Sequence, residues 1–563
     1  MISVSGKNWI ERKVNKNSVE IIKQDYKFNE ILSKLIVSRN FDEDEINNIN
    51  NNLKIINIFK NNSDFKQAST ILINSIKNNE KICILGDYDA DGTAATSLLV
   101  RYFNYIKQPH FYYIPDRIKD GYGATKKLFQ KLILNQPKLV IMVDCGSTSN
   151  EAIDFLNQNK IKSIIIDHHE INKPYPVSNV IINPKKNITR NEESYMCATS
   201  LTYFFLDYLI KNMGSDYKIN NYLIFVLLAT VCDVMPLRKI NKIIASNVIK
   251  KFKINDNAVF KFIFEQLSLN KKLSIDDLGF LIGPIINSGG RLGFSNYGVE
   301  LLTTDNLKLI KKRSIELIKL NEKRKLLEQN ILDQIDYEKI SKNNNNVIIY
   351  YNANLNEGLI GIIAARLKDY FNKPSIVITK SNNILKASAR STSNYNIGNL
   401  IKLLIDKKII ENGGGHNMAA GFSIKKNKLK RLNEFIQNDY GYKILDSNLS
   451  YYESEVSASI INIKFMDEIN KLGPFGNHNF MPIFMIKNVK IIKSSIVNKK
   501  HISAIVKPNI GSSFKSICFN CANTLVGNYL LFYKKHIDII GEINENIWNN
   551  KKSVQLNIKD LIL

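Results

Sequence analysis

The chain has 563 residues, 44% of them hydrophobic, and 78 Lys and Arg against 52 Asp and Glu give a net charge of +26. That length predicts three or four domains, and the charge favours a polyanionic partner, although a chain rich in Lys, Asn and Ile also gains charge from composition alone. With no run of 18 apolar residues, no membrane-spanning helix is expected, and an opening without an apolar signal core, together with six Cys that read as reduced, leads us to expect a cytoplasmic protein.

Residues 1–64 read as a polar, helical N-terminal segment. Residues 65–302 alternate strand and helix patterns: Lys81–Leu85, a helix over Thr93–Ile106, Val140–Val143, a helix over Asn150–Gln158, and Ile164–Ile166. This is the pattern of a parallel sheet with crossover helices. The first strand runs into Gly86-Asp87-Tyr88-Asp89-Ala90-Asp91-Gly92. Three carboxylates this close repel one another in a cleft and need a cation, and oxygen-rich clusters suit Mg²⁺ or Mn²⁺. A calcium loop opening on Asp87 would need Glu at its twelfth position, where Leu98 stands.

Further apolar runs end the same way. Leu139–Val143 leads to Asp144, and Ile164–Ile166 leads to Asp167-His168-His169. Imidazole suits Mn²⁺ better than Mg²⁺. In Leu227–Leu237 a single acid, Asp233, interrupts an apolar segment; such an acid is a cap or a ligand, and as the fourth of its kind it is read as a ligand. Strands of an open parallel sheet deliver side chains from their carboxyl ends into one crevice. Two ions about 3.5–4 Å apart, sharing a bridging carboxylate, hydrolyse phosphate esters there. The helix beginning at Thr93 adds its N-terminal dipole.

Residues 303–342 carry a long helical pattern, with Leu307, Ile310, Ile318, Leu320, Leu327, Ile331 and Ile335 recurring between charges. Thirty such residues span about 45 Å, which suits a buried-face helix and a rigid connector alike. Residues 343–445 read as a second α/β lobe, with strands Val347–Tyr351 and Ser375–Thr379 around a helix over Ile360–Tyr370. Gly413-Gly414-Gly415 before His416 makes either a tight turn or a close backbone approach to a ligand. Residues 446–563 change to short strands, consistent with a small β-barrel of the OB type. Such barrels hold single strands with basic grooves and aromatic platforms. Lys507, Phe514, Lys515 and Phe519 are candidates, the aromatics fitting core and stacking roles equally. Cys518-Phe519-Asn520-Cys521 lacks the second pair a zinc site needs and reads as structural.

Taken in order, several motifs run along nearly the whole chain. They are Gly86–Gly92; Pro115-Asp116-Arg117 with Asp120-Gly121-Tyr122-Gly123; Val143-Asp144-Cys145-Gly146; Asp167-His168-His169; Ala229–Val234; Gly283–Asn287 with Gly290-Arg291-Leu292; Glu357–Ile362; Gly413–His416 with Ala419-Ala420-Gly421; and Leu472–Gly476. By these residues the chain resembles the DHH phosphoesterase superfamily, and within it the exonucleases that degrade single-stranded DNA from 5′ to 3′.

The resemblance implies an α/β protein: a DHH parallel-sheet catalytic lobe, a connecting helix, a DHHA1-type second lobe and an OB-like barrel. It implies two divalent ions, Mn²⁺ or Mg²⁺, held by Asp89, Asp91, Asp144, His168 and Asp233, with Asp144 bridging. Asp87 and His169 complete the catalytic set. Arg117, His169, Asn287, Arg291, Arg390, Ser391, Gly414, Gly415 and His416 would bind phosphate or nucleic acid. The implied partners are single-stranded DNA, a single-strand-binding protein and a RecQ-type helicase, for a monomer in DNA repair and recombination with no membrane role. Two departures stand out: Ala387–Asn394 keeps Arg390-Ser391 without the expected Gly and Pro, and Asn477-His478-Asn479 replaces a Gly-containing stretch. A small-substrate phosphodiesterase and a metal-free scaffold on the same fold remain open alternatives at this point.

Overall fold

The apolar runs that end in acids become strands buried on both faces, as near-continuous Val, Ile and Leu segments of parallel sheets do. In the computed structural model, residues 2–50, 54–116, 120, 123–186, 193–343, 345–381, 383–440, 449–548 and 551–563 are described. The chain divides into two compact units, one of residues Met1–Lys54, Pro236–Ser246 and Asp446–Leu563, the other of Ile55–Met235 and Asn247–Leu445.

The larger unit holds a five-stranded, all-parallel sheet. Its strands lie in the order His110–Tyr113, Ile82–Leu85, Leu139–Val143, Lys162–Ile166, Val180–Ile182. The outer two were not foreseen, because four and three residues are too short for a period to show. Helix Ala90–Tyr105 follows the first acidic loop, with Asp89 as its N-cap. The apolar segment before Asp233 is a buried helix, Leu223–Cys232, and Asp233 is its C-cap. The long helix runs Leu307–Asp333, 27 residues or about 40 Å, and a separate short helix covers Tyr337–Lys342. Along its inner face Ile310, Ser314, Leu317, Asn321, Arg324 and Glu328 are buried, and Ser288 Oγ on helix Gly283–Arg291 donates to the Leu317 carbonyl at 3.0 Å. Glu328 accepts from Arg324 at 2.8 Å and, on the second lobe, from Arg366 at 2.7 Å. The second lobe is a mixed sheet in the order Asn412–His416, Ala419–Ile424, Ile384–Arg390, Ser375–Ser381, Ile348–Tyr351, parallel only between the last two.

The smaller unit is a closed barrel. Strand Ile483–Val497 pairs with His501–Pro508, that with Phe514–Cys518, that in parallel with Lys551–Ile562, that with Ile537–Trp548, which returns to the first. Register shifts at Ile486/Val489 and Ile491/Lys493 let the first strand bend enough to close. The strands are longer than the sequence suggested, and helices Ile463–Asn470 and Leu525–Phe532 were not foreseen. The N-terminal residues are not a helical segment of their own. Strand Asn8–Glu11 pairs in parallel with Leu449–Tyr452, and Leu32, Leu35 and Ile36 join the barrel's core. Cys521 Sγ donates to the buried Cys518 carbonyl at 3.2 Å, a structural contact within the barrel.

One buried carboxylate fastens this N-terminal stretch. Asp560, on the last strand, accepts from Ser3 Oγ at 2.6 Å, from Trp9 Nε1 at 2.8 Å and from Ser5 Oγ. Burial alone would raise its pKa, but these donors hold it below the usual carboxylate range. Asp560→Ala removes the acceptor shared by these side chains and by the Ser5 and Leu561 amides and is expected to cost about 3 kcal/mol or more, read as a lower denaturant midpoint for unfolding of the barrel.

Candidate metal centre

Three neighbouring strands of the parallel sheet end in the residues that build the centre. After Leu85 the chain turns through Asp87, whose carboxylate accepts from the Tyr88 amide at 2.7 Å. Asp89 then caps its helix, accepting from the Asp91 and Gly92 amides at 3.0 and 3.2 Å. A Cβ at Gly92 would stand 2.5 Å from the Asp87 amide nitrogen, so only glycine lets the helix start this close to the acidic loop. Asp91 is oriented by both oxygens: the Ala198 amide donates at 2.8 Å and the Thr199 amide at 2.7 Å, at the N-terminus of helix Ala198–Met213.

Asp144 follows the central strand with φ +60° and donates its amide to the Ile166 carbonyl at 3.0 Å. Its side chain is buried, and Oδ1 accepts no hydrogen bond from the described residues. After Ile166, Asp167 accepts from the Ser147 amide at 3.0 Å, the His168 amide at 2.8 Å and His169 Nδ1 at 2.8 Å. This organising role was not singled out in advance, although Asp167 stands in the same strand-end pattern. His168 Nε2 lies 3.6 Å from Asp91, 3.4 Å from Asp144 and 3.4 Å from Asp233. Ligand atoms converge in three groups: Asp87, Asp89 and Asp144; Asp91, His168 and Asp233; Asp144, His168 and His169. The structure therefore brings together all seven residues expected at the catalytic centre.

Crowding sets the electrostatics. Burial, then Asp91, Asp89, Asp87 and Asp233, push the Asp144 pKa well above the usual carboxylate range. Burial, then Asp91 and Asp89, do the same to Asp233, and burial and Asp91 raise Asp89. Burial lowers His168 to about 4, which keeps the imidazole neutral and its lone pair available. Burial would also lower His169, but the Asp167 carboxylate outweighs it and lifts His169 to about 10. Burial opposes ionisation of Asp167 in turn, and the two His residues hold it far below its ordinary value. The donor set is carboxylate oxygen plus one or two imidazoles, with an orphaned buried oxygen at its middle. It fits divalent Mn²⁺ or Mg²⁺.

The expected phosphate-binding residues divide. Arg291 Nη1 donates to the Gly358 carbonyl at 3.0 Å, joining the two lobes of this unit. Asn287 Oδ1 is buried without a hydrogen-bond partner among the described residues. Arg390 ends its strand, donating to Ser388 Oγ at 3.2 Å and the Ala389 carbonyl at 2.8 Å. The Ser391 hydroxyl is buried and donates to the Tyr395 carbonyl within its own loop, at 2.5 Å. Gly413 to His416 lie on an exposed strand rather than in a turn. Gly415, at φ +155°, has no room for a Cβ, which would meet Ala420 at 2.4 Å, whereas a Cβ at Gly414 would meet nothing within 4 Å. Packing explains the first glycine and not the second. Burial lowers the His416 pKa, as do Lys185, Arg390 and His169. Arg117 lies outside the described residues. On the barrel, Phe519 is exposed and edge-on to His501, while Phe514 packs against the core; Lys507 and Lys515 are exposed.

Comparison with known proteins agrees with this architecture. The DHH family N-terminal domain matches residues 81–230, the DHHA1 domain residues 344–440, and the RecJ OB domain residues 452–560. The single-stranded-DNA-specific exonuclease RecJ of Bacillus subtilis (strain 168) is 26% identical over 578 residues, covering 98% of this chain and 70% of that protein. RecJ of Escherichia coli (strain K12) is 25% identical over 527 residues, covering 89% and 90%. Crystal structures of RecJ from Thermus thermophilus superimpose with TM-score 0.82 for the Mn²⁺ complex, at 19% identity over 99% of this chain and 79% of that one, and 0.76 for the Mg²⁺ complex, at 18% over 99% and 78%. No helix among the described residues is long and apolar enough to cross a membrane.

Ions must displace the protons that crowding leaves on Asp144 and Asp233. Mn²⁺ binding is therefore expected to release protons and to tighten as pH rises. Calorimetric titration in two buffers of different ionisation enthalpy reads this directly; a pH-independent affinity without proton release would contradict the assignment.

Proposed function

We propose that this chain, a member of the DHH family with the DHH, DHHA1 and RecJ OB domains in sequence, is a metal-dependent exonuclease. It degrades single-stranded DNA from the 5′ end, in DNA repair and recombination. The observation that carries the reading is the convergence of Asp87, Asp89, Asp91, Asp144, His168, His169 and Asp233 at the ends of adjacent elements, with Asp144 and His168 each shared by two groups of ligand atoms. Divalent ions would be held by this set, and Asp144, whose buried Oδ1 has no hydrogen-bond partner among the described residues, would be one of their ligands.

When bound, Mn²⁺ or Mg²⁺ supplies Lewis acidity and an activated water for in-line displacement at phosphorus. The chain's own residues do the rest. Asp91, fixed by two amides, and His168, kept neutral by burial, present lone pairs in set directions. Asp167 fixes the His169 ring at 2.8 Å and raises its pKa, which favours a charged imidazole for a phosphoryl oxygen beside the cluster. Across from them, Arg390 and His416 on the second lobe, with Arg291 and Asn287 at the junction of the lobes, bind the backbone. The open space at Gly414 admits the strand against the peptide chain. The barrel, with Lys507, Lys515 and Phe519 exposed, holds further nucleotides of the strand. A barrel beyond the second lobe suits a long polymer better than a dinucleotide. A single-strand-binding protein and a RecQ-type helicase are proposed partners on family resemblance alone.

The test is Mn²⁺-dependent digestion of a single-stranded DNA oligonucleotide labelled at either end. The intact chain is expected to release mononucleotides from the 5′ end, and Asp144→Ala to lower the rate by about a thousandfold or more. Cleavage confined to very short oligomers, or absent from the intact chain, would contradict the proposal.

A further inference from the structure

A fourth strand ends in the same row as those that deliver the acids and imidazoles. Val180–Ile182 lies beside Lys162–Ile166 and leads into Asn183-Pro184-Lys185. Asn183 ties this loop to the metal centre. Its Nδ2 donates to the His169 carbonyl at 2.9 Å and to Ser147 Oγ at 2.8 Å, and its Oδ1 accepts from the Lys185 amide at 2.9 Å. Lys185 is thereby held at the carboxyl edge of the sheet, where ligands of open α/β sheets bind.

The Lys185 ammonium is paired with Glu170 Oε1 at 3.0 Å, the residue directly after His169. Both side chains reach solvent, 31% and 53% exposed, so the pair is cheap to open. The charge of Lys185 is felt by His168 and Asp233 on its own lobe and by His416 on the other. His416 is within the influence of Lys185, Arg390, His169 and Glu170 together. Lys185 and Arg390 thus act on His416 from the two lobes. A carboxylate held on a lysine here is the geometry a phosphate oxygen would take up.

We propose that Lys185 is a phosphate-binding residue, held by Glu170 when the site is free of nucleic acid and released to a backbone phosphate of the incoming strand. The inference rests on the nuclease reading above and adds a residue outside the motifs named in the sequence analysis. Lys185 positions the strand; the displaced Glu170 carboxylate turns to solvent, and its removal favours binding.

The experiment measures equilibrium binding of a fluorescently labelled deoxythymidine oligonucleotide to the full chain in chelator, as a function of salt. For the intact chain, Lys185→Ala, Lys185→Gln, Lys185→Arg and Glu170→Gln are compared. Loss of one phosphate contact is expected to make the slope of log K against log salt shallower by about 0.7 for both neutral variants. It should also weaken binding several-fold at low salt and raise KM in Mn²⁺ with kcat little changed. Lys185→Arg restores the slope, and Glu170→Gln binds several-fold tighter than the intact chain. An unchanged slope in both neutral variants, with the intact chain still binding and digesting DNA, overturns the role of Lys185 alone. An intact chain that neither binds nor digests the strand overturns the nuclease reading together with it.

Discussion

Carboxylates crowded into a buried crevice are the constraint on which the rest of the larger unit depends. Asp87, Asp91, Asp144 and Asp167 are all buried, and Asp89 and Asp233 stand beside them. In such surroundings these groups cannot all ionise without compensating charge. The protein supplies part of it through His169, which is locked to Asp167, and leaves the remainder to divalent ions. The divided protonation follows: Asp167 stays ionised because donors and imidazoles surround it, whereas Asp144 and Asp233 resist ionisation because other carboxylates do.

The backbone is bent to serve this arrangement. Asp144 leaves its strand at φ +60° and Val234, directly after Asp233, stands at φ +55°. Asp tolerates this region, but a β-branched residue there costs of order 1–3 kcal/mol. A turn in this conformation immediately after a helix directs the Asp233 carboxylate to within 3.4 Å of His168. Strain of this kind sits where side-chain direction matters more than local stability. The parallel sheet beneath, with Cys83, Ile84, Ile141, Met142 and Ile165 fully buried, supplies the rigid base against which it is held.

Much of this was legible because chemistry and periodicity coincide. Runs such as Leu139–Val143 have the length of strands and not of helices, and the residue that ends each of them stands out. Legibility failed where local pattern carries no information. Leu223–Cys232 is apolar all round, so a buried helix cannot be told from a strand, yet Asp233 reaches the same place from a helix C-cap. Val180–Ile182 is three residues long, and with it the Asn183 anchor was missed; the Asn-Pro that follows an apolar run was the available signal. The pairing of Asn8–Glu11 with Leu449–Tyr452 joins segments far apart in the sequence, which no local rule anticipates. Ser391 shows the converse: a motif neighbour of Arg390 whose hydroxyl serves its own loop.

The central claim is that two ions share Asp144 within this cluster. Anomalous diffraction from crystals of the chain grown with Mn²⁺ tests it most directly. Two peaks about 3.5–4 Å apart, both within bonding distance of the Asp144 carboxylate, with Asp91, His168 and Asp233 around one and Asp87 and Asp89 beside the other, are the predicted result. A single peak, or two peaks that do not share Asp144, would contradict the account.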